Sequence, residues 1–255
     1  MQNFDETQRG YQPDFYNLSA GVRDRESRLR KADKIAHVIR ELSNYSSGQR
    51  NCLDIGCSSG IITTHLASLF TMTLGIDFDP IAMDHLERAG TNPVYFLRGD
   101  AMHLPLSPES VDVVICAQVY EHVPSDEELM AEIFRILKPG GLVFFSGPNK
   151  LFPIEPHYFL PFLHWLPARL ANHYLRLFKR GDYYYERSRT WWGLRQLTAQ
   201  FIVKDVTIDL LQHNQHFIAP HPWGALMQRI PAFVWRLVLP LLPNFNWLLY
   251  KPEAS

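Results

Sequence analysis

Residues 51–62, NCLDIGCSSGII, constrain the fold of this chain more than any other part of its sequence. The apolar run at 52–55 predicts a buried strand, and the last two residues predict the start of a helix. Between them is a turn of small residues from Gly56 to Gly60, in which glycine allows conformations and close approaches that a Cβ atom prevents. Asp54 lies at the carboxyl end of the strand, which is where open α/β sheets bind ligands.

Short apolar runs alternate with helical patterns along the first part of the chain. The runs lie at 52–55, 72–76, 94–97, 111–116 and 142–146, and the helical segments at 22–42, 61–70, 80–89 and 126–137. Such alternation predicts a mostly parallel sheet with helices on both faces. The nearly continuous apolar run at 111–116 is typical of a central strand that is buried on both sides.

The C-terminal half predicts two more strands, which bring the sheet to seven. They lie at 201–208 and 246–251. The sequence KPGG at 138–141 predicts the end of a helix and a turn into the strand that follows.

Composition and charge exclude several classes of function. The net charge is −1 and no basic stripe occurs, so we expect no nucleic-acid partner. The N-terminus lacks the pattern of a secretory signal, and no run of about 18 uncharged apolar residues predicts a membrane-spanning helix. The three cysteines, Cys52, Cys57 and Cys116, lie in or beside predicted strands and are expected to be buried thiols. These features together predict a cytoplasmic protein.

The charge of the turn separates two classes of ligand. A dinucleotide usually requires G-x-G-x-x-G, with backbone N–H groups facing its pyrophosphate. Here the spacing is Gly56-x-Ser58-x-Gly60, and the carboxylate of Asp54 stands beside the turn. A carboxylate disfavours an anionic ligand and favours a cationic one. S-adenosylmethionine carries an ammonium and a sulfonium and no phosphate, so the turn favours it over a nicotinamide dinucleotide.

Five motifs in this chain resemble those of the class I S-adenosylmethionine-dependent methyltransferases. They are DIGCSSG at 54–60, GIDFDP at 75–80, RGDAMHLPL at 98–106, DVVICAQVYEHV at 112–123 and LKPGG at 137–141. The motifs occur in order, and Ser58 replaces the usual middle glycine of the first. The resemblance implies a Rossmann-like α/β fold, S-adenosyl-L-methionine as the cofactor and methyl transfer to a small-molecule acceptor.

The resemblance also implies a row of cofactor contacts along the strand ends. These are Asp54, Gly56, Ser58, Gly60, Asp77, Phe78, Asp100, Ala101, Met102 and Gln118. Asp77 follows Gly56 by 21 positions, about the interval expected for an acid that binds a ribose. Asp79 could do this instead, or it could cap a helix at Pro80.

The other contacts follow from the chemistry of the side chains. We expect Asp100 to accept from the adenine amino group and the N–H of Ala101 or Met102 to meet a ring nitrogen. Phe78 could lie against the adenine or pack in the protein. Gln118 follows the fourth strand, where we expect the reactive end of the cofactor.

A general base is needed only if the acceptor must lose a proton. The candidates are His122 and His157, because an imidazole titrates near neutral pH. His122 could instead cap a loop, and His157 could form a hydrogen bond within its own segment. The remaining histidines, including His213, His216 and His221, lack the spacing of a metal site, so we predict none.

We predict a single methyltransferase domain over 1–255, divided into four parts. Residues 1–45 form an N-terminal lid and helix, 46–147 the cofactor-binding core, and 148–195 and 213–243 two helical insertions on the substrate side, near the C-terminus. The insertions are rich in aromatic residues. They could form a pocket for a hydrophobic or lipid-like acceptor, contact a membrane surface through 223–243, or simply cover the sheet.

Three hypotheses of function remain open at this point. The first is a cytoplasmic small-molecule methyltransferase, which could contact a membrane through its insertions. The second is a non-catalytic relative of the same fold that binds a partner or a membrane through the aromatic insertions. The third, a nicotinamide-dependent oxidoreductase, is disfavoured by Asp54 and by the spacing of the turn. The acceptor atom and the oligomeric state stay open.

Overall fold

One mixed sheet runs through the part of the chain that this computed structural model describes, residues 15–43, 50–87, 92–213 and 229–253. Its strands are β1 (Asn51–Ile55), β2 (Met72–Asp77), β3 (Val94–Arg98), β4 (Val111–Ala117), β5 (Leu137–Pro148), β6 (Ile202–Asp205) and β7 (Asn244–Tyr250). Their order across the sheet is β3-β2-β1-β4-β5-β7-β6. The first five strands pair in parallel, and β7 runs antiparallel to both β5 and β6. The predicted mostly parallel, seven-stranded sheet is therefore confirmed.

Several helices begin after a residue whose side chain accepts hydrogen bonds from their first N–H groups. They are α1 (Phe15–Leu18), α2 (Ala20–Arg23), α3 (Arg25–His37), α4 (Ile61–Leu66), α5 (Pro80–Asp84), α6 (Asp126–Ile136), α7 (Ala168–Leu177), α8 (Trp191–Leu197), α9 (Thr207–His213) and α10 (Ala232–Val238). A π-helical turn, Val38–Leu42, continues α3, and 3-10 turns lie at Ala67–Leu69, Tyr120–His122, Leu163–Trp165 and Leu239–Leu241. Ser125, for example, accepts a hydrogen bond from the N–H of Glu128 at the start of α6, which the sequence predicts.

Strand β4 is buried on both faces, as its apolar sequence predicts. Successive side chains of a strand point to opposite faces. Accordingly, Val114 and Cys116 pack in one hydrophobic cluster with Leu129 and Ile133 of α6. Val113 and Ile115 pack in a second cluster on the other face, which contains Ile35 and Ala36 of α3. These two cores place helices on both sides of the sheet.

Two predicted boundaries are wrong, for local reasons. The KPGG segment is not a separate turn, because β5 already begins at Leu137, which pairs with Val111 before the register shifts. The strand predicted at 201–208 ends at Asp205. A side-chain oxygen of Asp205 accepts from the N–H of Thr207, and helix α9 starts there.

The helix predicted at 80–89 is shorter than expected, and some predictions lie outside the described residues. Helix α5 ends at Asp84. The segments that are not described include residues 88–91 and residues 214–228 of the second insertion. They also include residues 1–14 of the predicted N-terminal lid and helix. The division of the chain into four functional parts stays a prediction.

The first insertion has a small apolar core of its own. Leu160, Leu163, Ala171, Leu175 and Tyr184 are buried together. Helix α7 lies within this insertion, and α10 lies within the second. Among the residues described, none of the helices has the length and apolar character needed to cross a membrane.

The ring of Tyr120 leaves no room for a side chain at Gly147 of β5. A Cβ atom at Gly147 would lie 2.2 Å from the Cε1 atom of Tyr120, far inside van der Waals contact. We expect Gly147→Ala to lower the free energy of unfolding by about 1–3 kcal/mol, because one of the two elements must move. Urea denaturation measures this change.

The matched control is Gly21→Ala in α2. A Cβ atom at Gly21 would meet nothing within 4 Å. Alanine is also the better helix former, so this substitution should leave stability unchanged or raise it slightly. Equal destabilisation by the two substitutions would contradict the packing assigned to Gly147.

Candidate active site at the carboxyl edge of the sheet

The turn after β1 is tied directly to the end of β2. The N–H groups of Gly56 and Cys57 both donate to the carbonyl of Ile76, at 2.8 and 3.2 Å. Gly56 and Gly60 have φ angles of +69° and +75°, in the left-handed region that favours glycine. A Cβ atom at Gly56 would also lie 2.7 Å from Val119. These glycines are therefore needed for the conformation and the packing of the turn.

The carboxylate of Asp77 joins the turns that follow β1 and β2. Its oxygens accept from the N–H of Ser58 at 2.6 Å and from the N–H of Asp79 at 2.8 Å. Burial raises the pKa of Asp77, and these two hydrogen bonds act in the opposite direction. A carboxylate has about four acceptor positions, so Asp77 can accept two further hydrogen bonds from ligand hydroxyls.

Asp79 has the capping role that the sequence left open. One of its oxygens accepts from Ile81 N–H at the start of α5, and the other accepts from the N–H of Tyr16 at 2.8 Å. Asp79 therefore positions α5 and α1, and Asp77 is the better candidate for contact with a ligand.

Asp54 is buried beneath the turn, with 4% of its surface exposed. Thr63 of α4 donates its hydroxyl to the carboxylate at 2.6 Å. The pKa of Asp54 is raised to about 6, mainly by burial and in addition by the charge of Asp77. The Thr63 hydrogen bond and the charge of Arg28 act in the opposite direction. Arg28 extends from α3 and also acts on Asp77. The sequence analysis missed this cation.

The remaining predicted contacts lie at the ends of β3 and β4. Asp100 accepts from the N–H of Met102 at 2.9 Å, so that N–H is already engaged and only the N–H of Ala101 is a candidate for a ring nitrogen. Gln118 follows β4 with a φ angle of +62°, an uncommon conformation for this residue. Phe78 is 38% exposed, and the guanidinium of Arg98 lies 5.9 Å from its ring centre.

A second group of charged residues lies beyond the end of β4, on the 3-10 turn and the first insertion. We call Glu121, His122, Glu155, His157 and Glu186 the acid–histidine cluster. The rings of His122 and His157 meet edge to face with their centres 4.8 Å apart. His122 Nε2 lies 3.9 Å from Glu121 Oε1, and His122 Nδ1 lies 4.0 Å from Glu186 Oε1. The two predicted histidines are thus brought together.

Burial and neighbouring charges shift the pKa values of the two histidines in opposite directions. Burial lowers the pKa of His157, but the hydrogen bond from its Nδ1 to Glu155, together with the charges of Glu186, Glu155 and Glu121, outweighs this and raises it to about 9. Burial and the charge of His157 hold the pKa of His122 well below its usual value. Burial also raises the pKa of Glu121 to about 7.

Hydrogen bonds of Tyr120, Arg187 and Arg189 fix this cluster against the sheet. The hydroxyl of Tyr120 donates to Pro148 O at 2.5 Å and accepts from the N–H of Arg189 at 3.1 Å. The N–H of Arg187 donates to Glu121 O at 2.8 Å. The guanidinium of Arg189 binds Asp126 at the start of α6. The segment that carries Glu186 is therefore attached to the turn that carries Glu121.

Sequence reasoning named the histidines of this cluster but not its acids. Two of them have a visible signal, because Glu121 directly precedes His122 and Glu155 is two positions before His157 in an otherwise apolar segment. Glu186 has no such signal, since only the tertiary structure brings it to the cluster.

The comparison with known protein families agrees with the geometry of the sheet edge. Residues 53–145 match the family model Methyltransf_11, described as a methyltransferase domain. Over this part, which is less than half of its length, the chain is similar to the class I S-adenosylmethionine-dependent methyltransferases. The match covers most of β1 to most of β5, the part of the chain that holds Asp54, Asp77, Asp100 and Gln118.

Curated relatives match about half of this chain. A probable S-adenosylmethionine-dependent methyltransferase of Mycolicibacterium smegmatis is 34% identical over 114 residues, 45% of this chain and 44% of that protein. A ubiquinone biosynthesis O-methyltransferase of Methylococcus capsulatus is 32% identical over 127 residues, 46% of this chain and 54% of that protein. The chain thus spans about half the length of the curated relatives it matches.

Solved structures share the fold over nearly the whole chain. One is a chain of the complex between the Haloferax volcanii Trm112 methyltransferase activator and a putative methyltransferase, with a TM-score of 0.59, 18% identity, and coverage of 95% of this chain and 97% of that one. Another is the [4+2]-cyclase SpnF, with a TM-score of 0.54, 19% identity, and coverage of 88% and 81%. At these identities the likeness concerns the fold alone, and the cyclase shows that this methyltransferase fold also occurs in a protein named for another reaction.

Proposed function

We propose that this chain transfers a methyl group from S-adenosyl-L-methionine to a small acceptor. The observation that carries the proposal is a row of three carboxylates, Asp54, Asp77 and Asp100, at the ends of the neighbouring strands β1, β2 and β3. Such a row disfavours a pyrophosphate and suits a ligand that offers an ammonium, two ribose hydroxyls and an adenine amino group.

The residues present fit this cofactor. Asp77 has acceptor positions left for the ribose hydroxyls. The oxygens of Asp100 contact Met102 N–H and His103 Nδ1, and we expect this carboxylate also to accept from the adenine amino group. The hydroxyl of Ser58 is buried and lacks a hydrogen-bond partner within the described residues, so a ligand can supply one. The cofactor, when bound, supplies a methyl group activated by a positively charged sulfur. Asp54 and Gln118 would hold the amino-acid end of the cofactor.

The acid–histidine cluster is our candidate for the acceptor side. It follows Gln118 at the end of β4, next to the place assigned to the amino-acid end of the cofactor. A pKa of about 7 makes Glu121 the group best matched to accept a proton from an acceptor at neutral pH. His157 is protonated at that pH, so it is better suited to stabilise negative charge than to act as a base.

The exposed apolar surface of the first insertion supports a hydrophobic or lipid-like acceptor. Phe159, Phe162 and Trp165 are 73%, 48% and 47% exposed, and Leu177 of α7 is 68% exposed. Exposed basic residues, Arg169, Arg176 and Lys179, accompany them. Aromatic and basic side chains in this combination suit the surface of an anionic membrane. In the described part of the predicted contact at 223–243, Phe233 and Leu237 are likewise exposed.

The first test of the proposal is the binding of S-adenosylhomocysteine, measured by calorimetry. Asp77→Asn should weaken binding by at least about tenfold, because the amide no longer offers two acceptor oxygens to the ribose. Asp84→Asn, on the exposed end of α5, is the control and should leave the affinity unchanged. Binding of NAD in preference to the adenosyl ligand would overturn the proposal.

A methyl-labelling experiment then separates a catalyst from a non-catalytic relative. Cell extract is incubated with the protein and methyl-labelled S-adenosylmethionine, and is divided into lipid-soluble and water-soluble fractions. We expect label in the lipid-soluble fraction with the wild-type protein and none with Asp77→Asn. Tight cofactor binding without label in either fraction would favour the non-catalytic alternative.

The pH dependence of cofactor binding tests the role of Asp54. Below its pKa of about 6 the Asp54 carboxyl is neutral and no longer attracts the ammonium, so affinity should fall. We expect S-adenosylhomocysteine to bind about five- to tenfold more weakly at about pH 5 than at about pH 7. Asp54→Asn should remove this difference.

The control ligand for that experiment is 5′-methylthioadenosine, which has the ribose and adenine but lacks the ammonium. Arg28, Asp77 and Thr63 also face Asp54, and a titration of Asp77 would alter the binding of both ligands. Equal pH dependence for the two ligands would therefore contradict the assignment to Asp54.

Vesicle flotation tests the membrane contact. The wild-type protein should float with vesicles of phosphatidylglycerol and much less with vesicles of phosphatidylcholine, because the exposed cations need an anionic surface. Phe159→Ser combined with Leu177→Ser should reduce flotation. Tyr95→Ser, at a residue of the edge strand β3 that is 56% exposed, should not. Absence of flotation at low salt would rule out this contact.

A further inference from the structure

Three side chains with metal-binding atoms converge where β4 and β5 end. Glu121 and His122 lie on the 3-10 turn that follows β4, and His157 lies in the segment that follows β5. These strands are neighbours and run parallel, so the segments that follow them begin at the same edge of the sheet. One potential ligand atom from each of the three side chains lies within 4.8 Å of the other two.

The carboxylate of Glu121 is buried and accepts no hydrogen bond within the part of the chain that the structure describes. Its side chain is 0% exposed, and neither carboxylate oxygen has a hydrogen-bond partner among the residues described. A buried carboxylate in that condition is costly unless a cation or a donor satisfies it. His122 Nε2 is 3.9 Å from Glu121 Oε1, which is too long for a hydrogen bond but suits two ligands that face the same ion.

His157 is held in the orientation of a metal ligand. Its Nδ1 lies 2.8 Å from Glu155 Oε1, and Glu155 is itself fixed by the N–H groups of His157 and Tyr158, at 2.8 and 2.7 Å. A metal ion would take the place of the proton on Nε2, while Nδ1 continues to donate to the carboxylate. A carboxylate behind the histidine is the usual support of a metal-bound imidazole.

The charge of the cluster also favours a cation. Glu121, Glu155 and Glu186 are three carboxyl groups with side chains at most 1% exposed. Around Glu121, the groups that supply positive charge are His157 and, from α3, Lys31. A metal-bound His157 is neutral, so Lys31 and a divalent ion would together compensate the three buried carboxylates.

We propose that Glu121, His122 and His157 bind one divalent transition-metal ion, with zinc as the reference case. Two imidazole nitrogens and one carboxylate are a donor set of catalytic zinc sites, which keep a position open for water or substrate. Ligand atoms on a tetrahedral zinc ion stand about 3.4 Å apart, so these side chains must move together by about 1 Å. This site goes beyond the proposed function, because its geometry does not depend on methyl transfer.

On the proposed acceptor side, the ion would activate a bound acceptor. If the acceptor is a hydroxyl compound, its oxygen can occupy the open position of the metal, which lowers the pKa of the hydroxyl. The acceptor proton then leaves to water, and the oxygen is available as the nucleophile. Unlike the metal site itself, this activation of the acceptor rests on the proposed function.

The test is calorimetric titration of the full chain with ZnCl₂ after treatment with EDTA, in the absence of S-adenosylmethionine. We expect one site per chain with a dissociation constant in the micromolar range or below. His157→Ala and Glu121→Gln should each weaken binding by about 10–100-fold. His65→Ala is the matched control, since His65 is also paired with a carboxylate, that of Asp33 at 2.8 Å, but lies on the surface away from the cluster.

X-ray absorption on the zinc-loaded wild-type protein keeps the proposal testable if a variant fails to fold. We expect nitrogen and oxygen neighbours at about 2.0–2.2 Å, the signature of two imidazoles and no sulfur. A sulfur neighbour would place the ion on a cysteine and overturn the proposal. Absence of stoichiometric zinc binding, or binding that survives both His157→Ala and Glu121→Gln, would overturn it as well. Because no cofactor is present, none of these results bears on methyl transfer.

Discussion

The burial of β4 on both faces is the constraint on which the rest of the structure depends. Val113, Val114, Ile115 and Cys116 have no exposed surface, so layers of helix must cover the sheet on each side. Chains meet this demand with parallel strands joined by helical crossovers, which bring the carboxyl ends of neighbouring strands to one edge. The position of the site at the sheet edge is a consequence of this arrangement.

At that edge, two kinds of contact assemble the site. The half that we propose for the cofactor is built from local turns, and the carboxylate of Asp77 connects the turn after β1 with the turn after β2. The half that we propose for the acceptor is built from distant segments, which Tyr120 and Arg189 hold against the end of β4. Under this proposal a short, regular framework fixes the cofactor side, and the first insertion provides much of the chemistry of the acceptor side.

This difference explains what the sequence could and could not predict. Periodicity and spacing were enough to place three residues at one edge, because each lies at or directly after the end of its strand: Asp54, Gly56 and Asp77. Glu186 and Arg28 reach the site from other elements, and no local pattern shows that they do so. The strand predicted at 201–208 was wrong beyond Asp205 because a side-chain hydrogen bond, rather than β propensity, decides where α9 begins. The helix at 126–137 was predicted well, since both its cap and its apolar face are local.

The most direct test of the central claim is a crystal structure of the protein with S-adenosylhomocysteine. The account predicts that Asp77 accepts hydrogen bonds from both ribose hydroxyls, that the adenine lies beside Asp100, and that the sulfur points from Gln118 towards Glu121 and His122. Adenosine bound away from the carboxyl edge of β1 to β4, or a sulfur that points away from the acid–histidine cluster, would contradict it.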